Sequence, residues 1–432
     1  MRKSILGMIL AGGEGTRLSP LTTKRAKPAV PFGGKYRIID FVLSNFVNSG
    51  IQSLFVLTQF RSQSMSEHII NGWNMSSINK GQFIVPVPAQ MQGAEKRWYE
   101  GTADAIYQNI HLLHDFTPDL LAVFGGDHIY KMDISQMAKF HNKRNALATV
   151  AALPVTVEEG REFGIMEVDE DWRIVGFDEK PANPKEIPGM PGYCLASMGN
   201  YVFDTPWLIE ALELDAKAEN TSHDFGHDIL PKAVSTGRLF AYNFAMNEIP
   251  GHEKGKPNYW KDVGGIQSYY QANMDLRSAD PMLDLYSSAW PIHTYNDPLP
   301  PAKFVHDEYN SQGRNRVGKA INSIICGGCI ISGSTVYDSV LSSEVHVHSF
   351  AHVERSIILN GVEILEDCKV RNAIIDKHVI LPPGTTIGYD RADDEQRYHV
   401  VDLDKDAGTW LTIIEKNHAR VNEDIKTTTL IL

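Results

Sequence analysis

The sequence predicts an α/β protein in two parts, an open, mostly parallel sheet followed by a parallel β-helix. Three observations carry this reading. Strand-length apolar runs at Ile5–Leu10, Leu54–Thr58, Leu120–Phe124 and Ala148–Ala152 alternate with helical stretches such as Ile38–Ser49. That alternation implies parallel strands joined by crossover helices. From about Asn322, apolar residues recur at Ile324, Ile330, Val336, Leu341, Val347, Val353, Ile358, Ile364, Val370, Ile375, Leu381 and Ile387, with every gap five or six residues. This is the period of a hexapeptide β-helix with three short strands per coil. Finally, 432 residues exceed what one hydrophobic core usually serves. The expected boundaries are 1–286 for the first domain, 287–321 for a connector containing Pro298-Leu299-Pro300-Pro301, 322–390 for the β-helix and 391–432 for a capping tail.

Composition narrows the class. With 43% hydrophobic and 22% charged residues, the chain has the balance of an ordinary globular protein. A net charge of -12 argues against general binding to nucleic acid or a membrane surface. Met1-Arg2-Lys3 followed by an apolar run resembles a signal peptide, but the run ends at Ala11 in Gly12-Gly13. No apolar stretch approaches the roughly 20 residues of a membrane helix, so a cytoplasmic protein is expected. Cys194, Cys326, Cys329 and Cys368 are too sparse for a disulfide framework. Cys326-Gly-Gly-Cys329 lacks the second pair of a zinc site and the following helix of a redox motif, so small buried thiols are expected.

The first strand ends in Ala11-Gly12-Gly13-Glu14-Gly15-Thr16-Arg17-Leu18. A glycine-rich turn after a strand presents several backbone N–H donors in one concavity, which suits phosphate. The stretch has no Gly-Lys-Ser/Thr ending, and Leu18 stands where a dinucleotide fingerprint needs glycine. It reads as a phosphate cradle of another kind, or as a plain tight turn. Lys24-Arg25-Ala26-Lys27-Pro28 and Lys35-Tyr36-Arg37 put five basic residues within fourteen positions of an acidic chain. Interleaved proline and glycine make this no helix surface, and it reads as the lining of a pocket for polyanions.

The strand Leu120–Phe124 runs into Gly125-Gly126-Asp127-His128, and Trp260-Lys261-Asp262-Val263-Gly264 offers a second aspartate in a similar setting. Each aspartate reads either as a ligand for a phosphate-bound cation or as a cap or turn residue. Lys180, held before Pro181, reads as a phosphate anchor or as a solvated lysine.

Taken together, Leu10-Ala-Gly-Gly-x-Gly-Thr-Arg-Leu18, Lys24-Arg-Ala-Lys-Pro28, Gly101-Thr-Ala-Asp-Ala105, Gly126-Asp-His-Ile-Tyr130, Glu179-Lys-Pro181 and Trp260-Lys-Asp-Val-Gly264 resemble the bacterial ADP-glucose pyrophosphorylase family. Ser197-Met-Gly199 and Ser222-His-Asp-Phe-Gly226 agree, and the match runs in order from about Ile5 to about Gly388. The resemblance implies a Rossmann-like nucleotidyltransferase domain and a left-handed β-helix. It implies transfer of adenylyl from ATP to glucose 1-phosphate, giving ADP-glucose and pyrophosphate, the committed step of bacterial glycogen synthesis.

By the same resemblance, Gly12, Gly13, Gly15 and Thr16 cradle ATP, while Arg17 and Lys27 neutralise its triphosphate. Gln90, Gly101 and Thr102 border the adenine, and Asp127 and Asp262 hold Mg2+. Tyr99, Gly164, Glu179, Lys180 and Ser197 contact glucose 1-phosphate. The catalytic set is then Arg17, Lys27, Asp127 and Lys180. Lys24, Arg25 and Arg37 match the allosteric site, where a sugar phosphate activates and AMP or phosphate inhibits, in what is typically a homotetramer. Pro31, Asp115 and the ending Thr427–Leu432 depart from some members, which leaves effector identity open. A transferase for another nucleotide, a hexapeptide acyltransferase built on His346, His348 and His352, and a non-catalytic regulatory subunit are the rival readings.

Overall fold

The computed structural model describes residues 3–74, 81–90, 98–309 and 315–416, so Thr427–Leu432 lies outside the described residues. Contacts divide the chain into two compact units. The first comprises 1–13, 41–260 and 287–293; the second comprises 14–40, 261–286 and 294–432. Segments 14–40 and 261–286, expected from sequence within the first domain, thus belong to the unit that holds the β-helix.

The first unit is organised by a sheet of strands β1 (Ile5–Leu10), β2 (Ser53–Thr58), β3 (Phe83–Pro88), β4 (Leu120–Gly125), β5 (Ala148–Thr156), β6 (Gly164–Val168), β7 (Ile174–Glu179), β8 (Tyr193–Asp204) and β9 (Leu239–Asn243). Its main order is β9-β5-β8-β4-β1-β2-β3, and β6 and β7 form a hairpin against β8. All main strands run parallel except β8, which lies antiparallel between β4 and β5. Sequence alternation implies that β4 and β5 are parallel, and they are, but the reversed β8 separates them. Met8, Ile9, Leu54, Val56, Leu121 and Val123 are all at most 0% exposed, as expected for strands covered on both faces.

Crossover helices are capped by their own sequence. Asp133 accepts from the Ser135 N–H at the start of Ile134–Lys143, and Asp204 accepts from Trp207 N–H at the start of Thr205–Asp215. From β1 the chain moves to one side through β2 and β3, then returns to β1's other edge as β4. The carboxyl ends of β1 and β4 therefore flank a topological switch point, the place where open α/β sheets bind ligands. Gly12-Gly13 and Gly126-Asp127-His128 follow those two ends.

The second unit contains the β-helix, whose strands stack in three parallel faces. One face runs Lys303–Val305, Ile330–Ser332, His346–Val347, Glu363–Ile364, Ile380–Leu381. The second runs Lys319–Ile321, Thr335–Tyr337, His352–Glu354, Lys369–Arg371, Thr386–Ile387. The third runs Ile324–Ile325, Val340–Leu341, Ile357–Ile358, Ala373–Ile375 and closes with Thr409–Ile414. Strands of the first two faces thus begin before residue 322, within the stretch read from sequence as a connector.

Ten of the twelve periodic positions, from Val336 to Ile387, sit in the interior. The first two are one residue out of phase. Register aligns Ile331 with Val347 and Ile325 with Leu341, so Ile331 and Ile325 face the core while Ile330 and Ile324 point the other way. In a period-two strand a single-residue slip reverses the face.

The described part of the tail caps the stack. Asp390 caps the helix Arg391–Arg397, and Thr409–Ile414 pairs in parallel with Ala373–Ile375. Buried Asp394 accepts from Gly388 N–H, Trp410 Nε1 and Thr412 Oγ1, which ties helix, loop and strand to one carboxylate.

Cys194, Cys329 and Cys368 are buried and Cys326 is half-buried, all as free thiols. Burial pushes Cys326 up to about 12 and Cys329 and Cys368 up to about 11, which keeps these thiols unreactive. Among the described residues, no helix is long and apolar enough to cross a membrane.

Candidate active site

In the first unit, backbone bonds fix the two switch-point loops. Ala11 N–H donates to Leu57 carbonyl at 2.9 Å, and Gly126 N–H donates to Leu10 carbonyl at 3.0 Å. Gly12 lies against Gln59 and Tyr99, while Gly13 has open space where a side chain would stand. Gln59 Oε1 accepts the Tyr99 N–H at 2.8 Å, and buried Asn109 donates to the Tyr99 hydroxyl at 3.0 Å. Burial raises the Tyr99 hydroxyl above its ordinary range, so it stays a neutral phenol.

Gly101 and Thr102 open a short helix that abuts the Ser222–Gly226 turn. The Ala103 and Asp104 N–H groups donate to His223 carbonyl at 2.8 and 3.2 Å. A Cβ on residue 101 would collide with that same carbonyl, which explains the glycine. Thr102 Oγ1 donates to Asp224 Oδ2 at 2.8 Å and accepts Phe225 N–H at 3.0 Å. Its hydroxyl is therefore engaged in positioning the turn. Asp224 Oδ1 in turn accepts the Gly226 N–H. Burial works to raise the neighbouring Asp228 carboxyl, yet bonds from Ser222, the Asp224 N–H and His227 outweigh it and hold the group well below the usual carboxylate range.

Glu179 ends β7 opposite Gly164 at the start of β6. Its Oε2 is so close to Gly164 and Gly226 that a Cβ on either would come within 2.7 and 2.6 Å. Desolvation first, and the Asp224 charge second, raise the Glu179 carboxyl above its ordinary value. Lys180 follows at φ 47°, its N–H donating to Phe163 carbonyl at 3.1 Å. Its ammonium reaches only 4.0 Å from Glu179 and is 61% exposed, so it remains available to an anion. Ser197 is buried on β8, its Oγ accepting the Gly199 N–H at 3.2 Å.

Asp127 is half-buried beyond β4, 3.5 Å from His128 Nε2. The His128 ring packs 5.1 Å from Trp260, which packs in turn 5.7 Å from Phe163. Sequence reading missed His128, Trp260, Gln59, Asn109 and Asp224 as positioning groups. Their contacts join distant parts of the chain, although Asp224 lies inside the quoted Ser222–Gly226 run. Gln90 is exposed directly before 91–97, which lie outside the described residues.

In the second unit, Gly15 has φ 65°, and a Cβ there would meet Lys27 Cβ at 2.8 Å. Thr22 Oγ1 donates to Gly15 carbonyl at 2.9 Å, and Thr16–Leu18 form a single tight turn with Thr16 and Arg17 exposed. Lys27 is buried and donates to Asp262 Oδ1 at 3.2 Å. A Cβ on Gly264 would contact both Asp262 and Arg17 Nη2, at 2.9 and 3.2 Å. Gly15, Arg17, Lys27 and Asp262 thus form one cluster.

Lys24 is exposed, whereas Arg25 is buried and donates from a single nitrogen, Nη2, to both oxygens of Asp376, at 2.8 and 2.9 Å. Arg25 Nη1 is buried without a hydrogen-bond partner among the described residues. Next in the chain, Lys377 is pulled down to about 7 by burial first, then by Arg37 and Arg25. Arg37, Arg25 and Lys416 all disfavour the Lys377 charge, and the buried Asp376 carboxylate supports it. Lys377 was not legible as a site residue, because it falls inside the β-helix repeat.

Comparisons with known proteins agree with this layout. A Nucleotidyl transferase family model matches residues 6–279, and a GlmU-like C-terminal hexapeptide model matches residues 300–404. A glucose-1-phosphate adenylyltransferase of Thermus thermophilus is 53% identical over 401 residues, covering 92% of this chain and 95% of its own. Those of Deinococcus radiodurans and Aliivibrio fischeri are each 50% identical, covering 92% of this chain and 96% of their own. By its glycine turn, its paired lysine and aspartate, its hexapeptide solenoid and these relatives, the chain belongs to the glucose-1-phosphate adenylyltransferase family.

Proposed function

We propose that this chain transfers the adenylyl group of ATP to glucose 1-phosphate, releasing pyrophosphate. The observation that carries the reading is the buried Lys27, held against Asp262 beside Arg17 by a glycine turn that admits no side chain. Attack of a sugar-phosphate oxygen on the α-phosphorus needs no protein nucleophile. The enzyme's contribution is to position two anions and offset charge as pyrophosphate departs. Gly12, Gly13, Gly15 and Thr16 supply backbone donors to ATP, and Arg17 and Lys27 face its phosphates. Gln90 and Gly101 border the adenine, while Thr102 acts through the turn it anchors. Lys180 takes the phosphate of glucose 1-phosphate. Glu179, with its raised carboxyl, accepts from the sugar hydroxyls beside Gly164, Tyr99 and Ser197.

Asp127 and Asp262 are proposed to hold Mg2+. Carboxylate oxygens are the hard donors that this ion prefers, and Asp127 is left half-exposed at a strand's carboxyl end. An ion held there would supply positive charge to offset that of the phosphates.

Regulation by anionic effectors is proposed at Lys24, Arg25 and Arg37, extended to Lys377. Arg25 acts there as the anchor that Asp376 holds in place. A sugar phosphate would activate, and AMP or phosphate would inhibit. We assign catalysis to 1–286 and assembly, as a cytoplasmic homotetramer, to the β-helix. Phe304 and Ile321, exposed on its outer surface, support the assembly role.

Pyrophosphate release with ATP, Mg2+ and glucose 1-phosphate, compared across a nucleotide panel, tests the reading. Preference for UTP, dTTP or GTP overturns it. Adding sugar phosphates to the same assay tests the regulatory part.

A further inference from the structure

The β-helix carries a cluster of metal-ligating side chains that adenylyl transfer does not use. His346 and Glu363 occupy the same register position on adjacent coils of the first face. His348 follows His346 by two residues, and the two rings stack with centroids 3.8 Å apart. His348 Nε2 lies 2.9 Å from Glu363 Oε1, and its Nδ1 lies 3.6 Å from Glu366 Oε1. Ligand atoms of His346, His348 and Glu363 all fall within 4.8 Å of one another, and all three residues are half-buried. The same column continues to half-buried Ile330 on one side and Ile380 on the other.

We propose that His346, His348 and Glu363 form a binding site for a transition-metal ion of the Zn2+ class on the outer face of the β-helix. Two imidazoles are borderline donors, and together with one carboxylate they suit Zn2+, Co2+ or Ni2+ better than Mg2+, which prefers an all-oxygen shell. Bonds of about 2.0–2.2 Å to each ligand require the donor atoms to close to roughly 3.4 Å. Side-chain rotation alone covers that movement, because the backbone register already aligns His346 with Glu363. Glu366 sits where a carboxylate would orient His348 through its second nitrogen, an arrangement that holds a metal-bound imidazole in one tautomer. Three protein ligands leave a fourth position for water. Because His346 and Glu363 come from neighbouring coils, the ion would clip one coil to the next.

Titration of the full chain with Zn2+ by calorimetry, in excess Mg2+, tests the site, with Co2+ absorption in the visible as a second readout. One ion per chain is expected to bind in the unsubstituted protein and equally in Asp127→Asn. Affinity should fall at least about tenfold in His348→Ala and in Glu363→Gln, and about tenfold in Glu366→Gln. Unchanged affinity in both His348→Ala and Glu363→Gln overturns the proposal. So does loss of binding in Asp127→Asn, or no binding in the unsubstituted chain. Far-UV circular dichroism of each metal-free variant checks folding; should His348→Ala fail to fold, His346→Gln supplies the reading.

Discussion

Lys27 and Arg25 stand two residues apart, and each is a buried cation facing a carboxylate, yet the two pairs are built differently. Lys27 meets Asp262 through one contact at 3.2 Å, and the Asp262 side chain is 22% exposed. Arg25 grips both oxygens of Asp376, which is 2% exposed. A point charge on a flexible stem against a partly open carboxylate can be shared with an incoming anion or cation. A guanidinium nitrogen shared between both oxygens of an enclosed carboxylate cannot leave without stranding a charge. One short basic segment thus holds a partly open pair and an enclosed pair, and geometry rather than residue class separates them.

The sharpest way to break this comparison is to substitute the members separately. Asp127→Asn sets the scale for a purely functional loss: turnover falls by about 100-fold or more, with an unchanged melting curve. Lys27→Met is expected to follow it, losing turnover to a similar degree while changing stability little. Arg25→Met should do the reverse, costing about 3–5 kcal/mol in urea unfolding because buried Asp376 loses its salt-bridge partner and keeps the Lys377 N–H. Equal stability losses in the two lysine and arginine variants would erase the distinction.

A smaller effect is expected at Lys377. Lys377→Gln should raise the half-activating sugar-phosphate concentration by about tenfold and leave unstimulated turnover within about twofold. Unchanged activation would remove Lys377 from the effector site.

The smallest effect is a pH dependence. Lys377 titrates near 7 in the folded chain, below its ordinary 10.5. Its burial therefore costs stability in full below about pH 7, and the cost fades as pH rises toward 10.5. A bound anion favours the charged form, so activator affinity should weaken several-fold between pH 6.5 and 8.5. Lys377→Gln should flatten that part of the profile, measured as half-activating concentration against pH.

What was legible in the sequence was local. The glycine turn, the aspartate beyond β4 and the lysine before Pro181 each announce themselves through neighbours in the chain. The β-helix was legible for the same reason, since stacking repeats one short pattern; only its first two positions slipped, where Ile324-Ile325 and Ile330-Ile331 give two apolar residues in a row. What was not legible depends on contacts made across the chain. The reversal of β8 is invisible in its composition, which mixes apolar and small residues as β5 does. The bond from the Thr102 hydroxyl to Asp224 joins residues far apart in the chain, so no local pattern announces it. Lys377 reads as one more exposed residue of a coil until Arg25 and Arg37 are seen to crowd it.

The carboxylate of Asp394 has one further consequence. A parallel β-helix is a one-dimensional crystal: each coil is a template for the next, and nothing in the repeat itself says where growth stops. Here the stop is written into a separate short passage. Asp394 gathers a loop, a helix and the strand Thr409–Ile414, so the last strand of the third face is covered by a strand outside the repeat. Such a terminator limits the length of the stack without altering any coil within it, much as a chain-terminating unit limits a polymer.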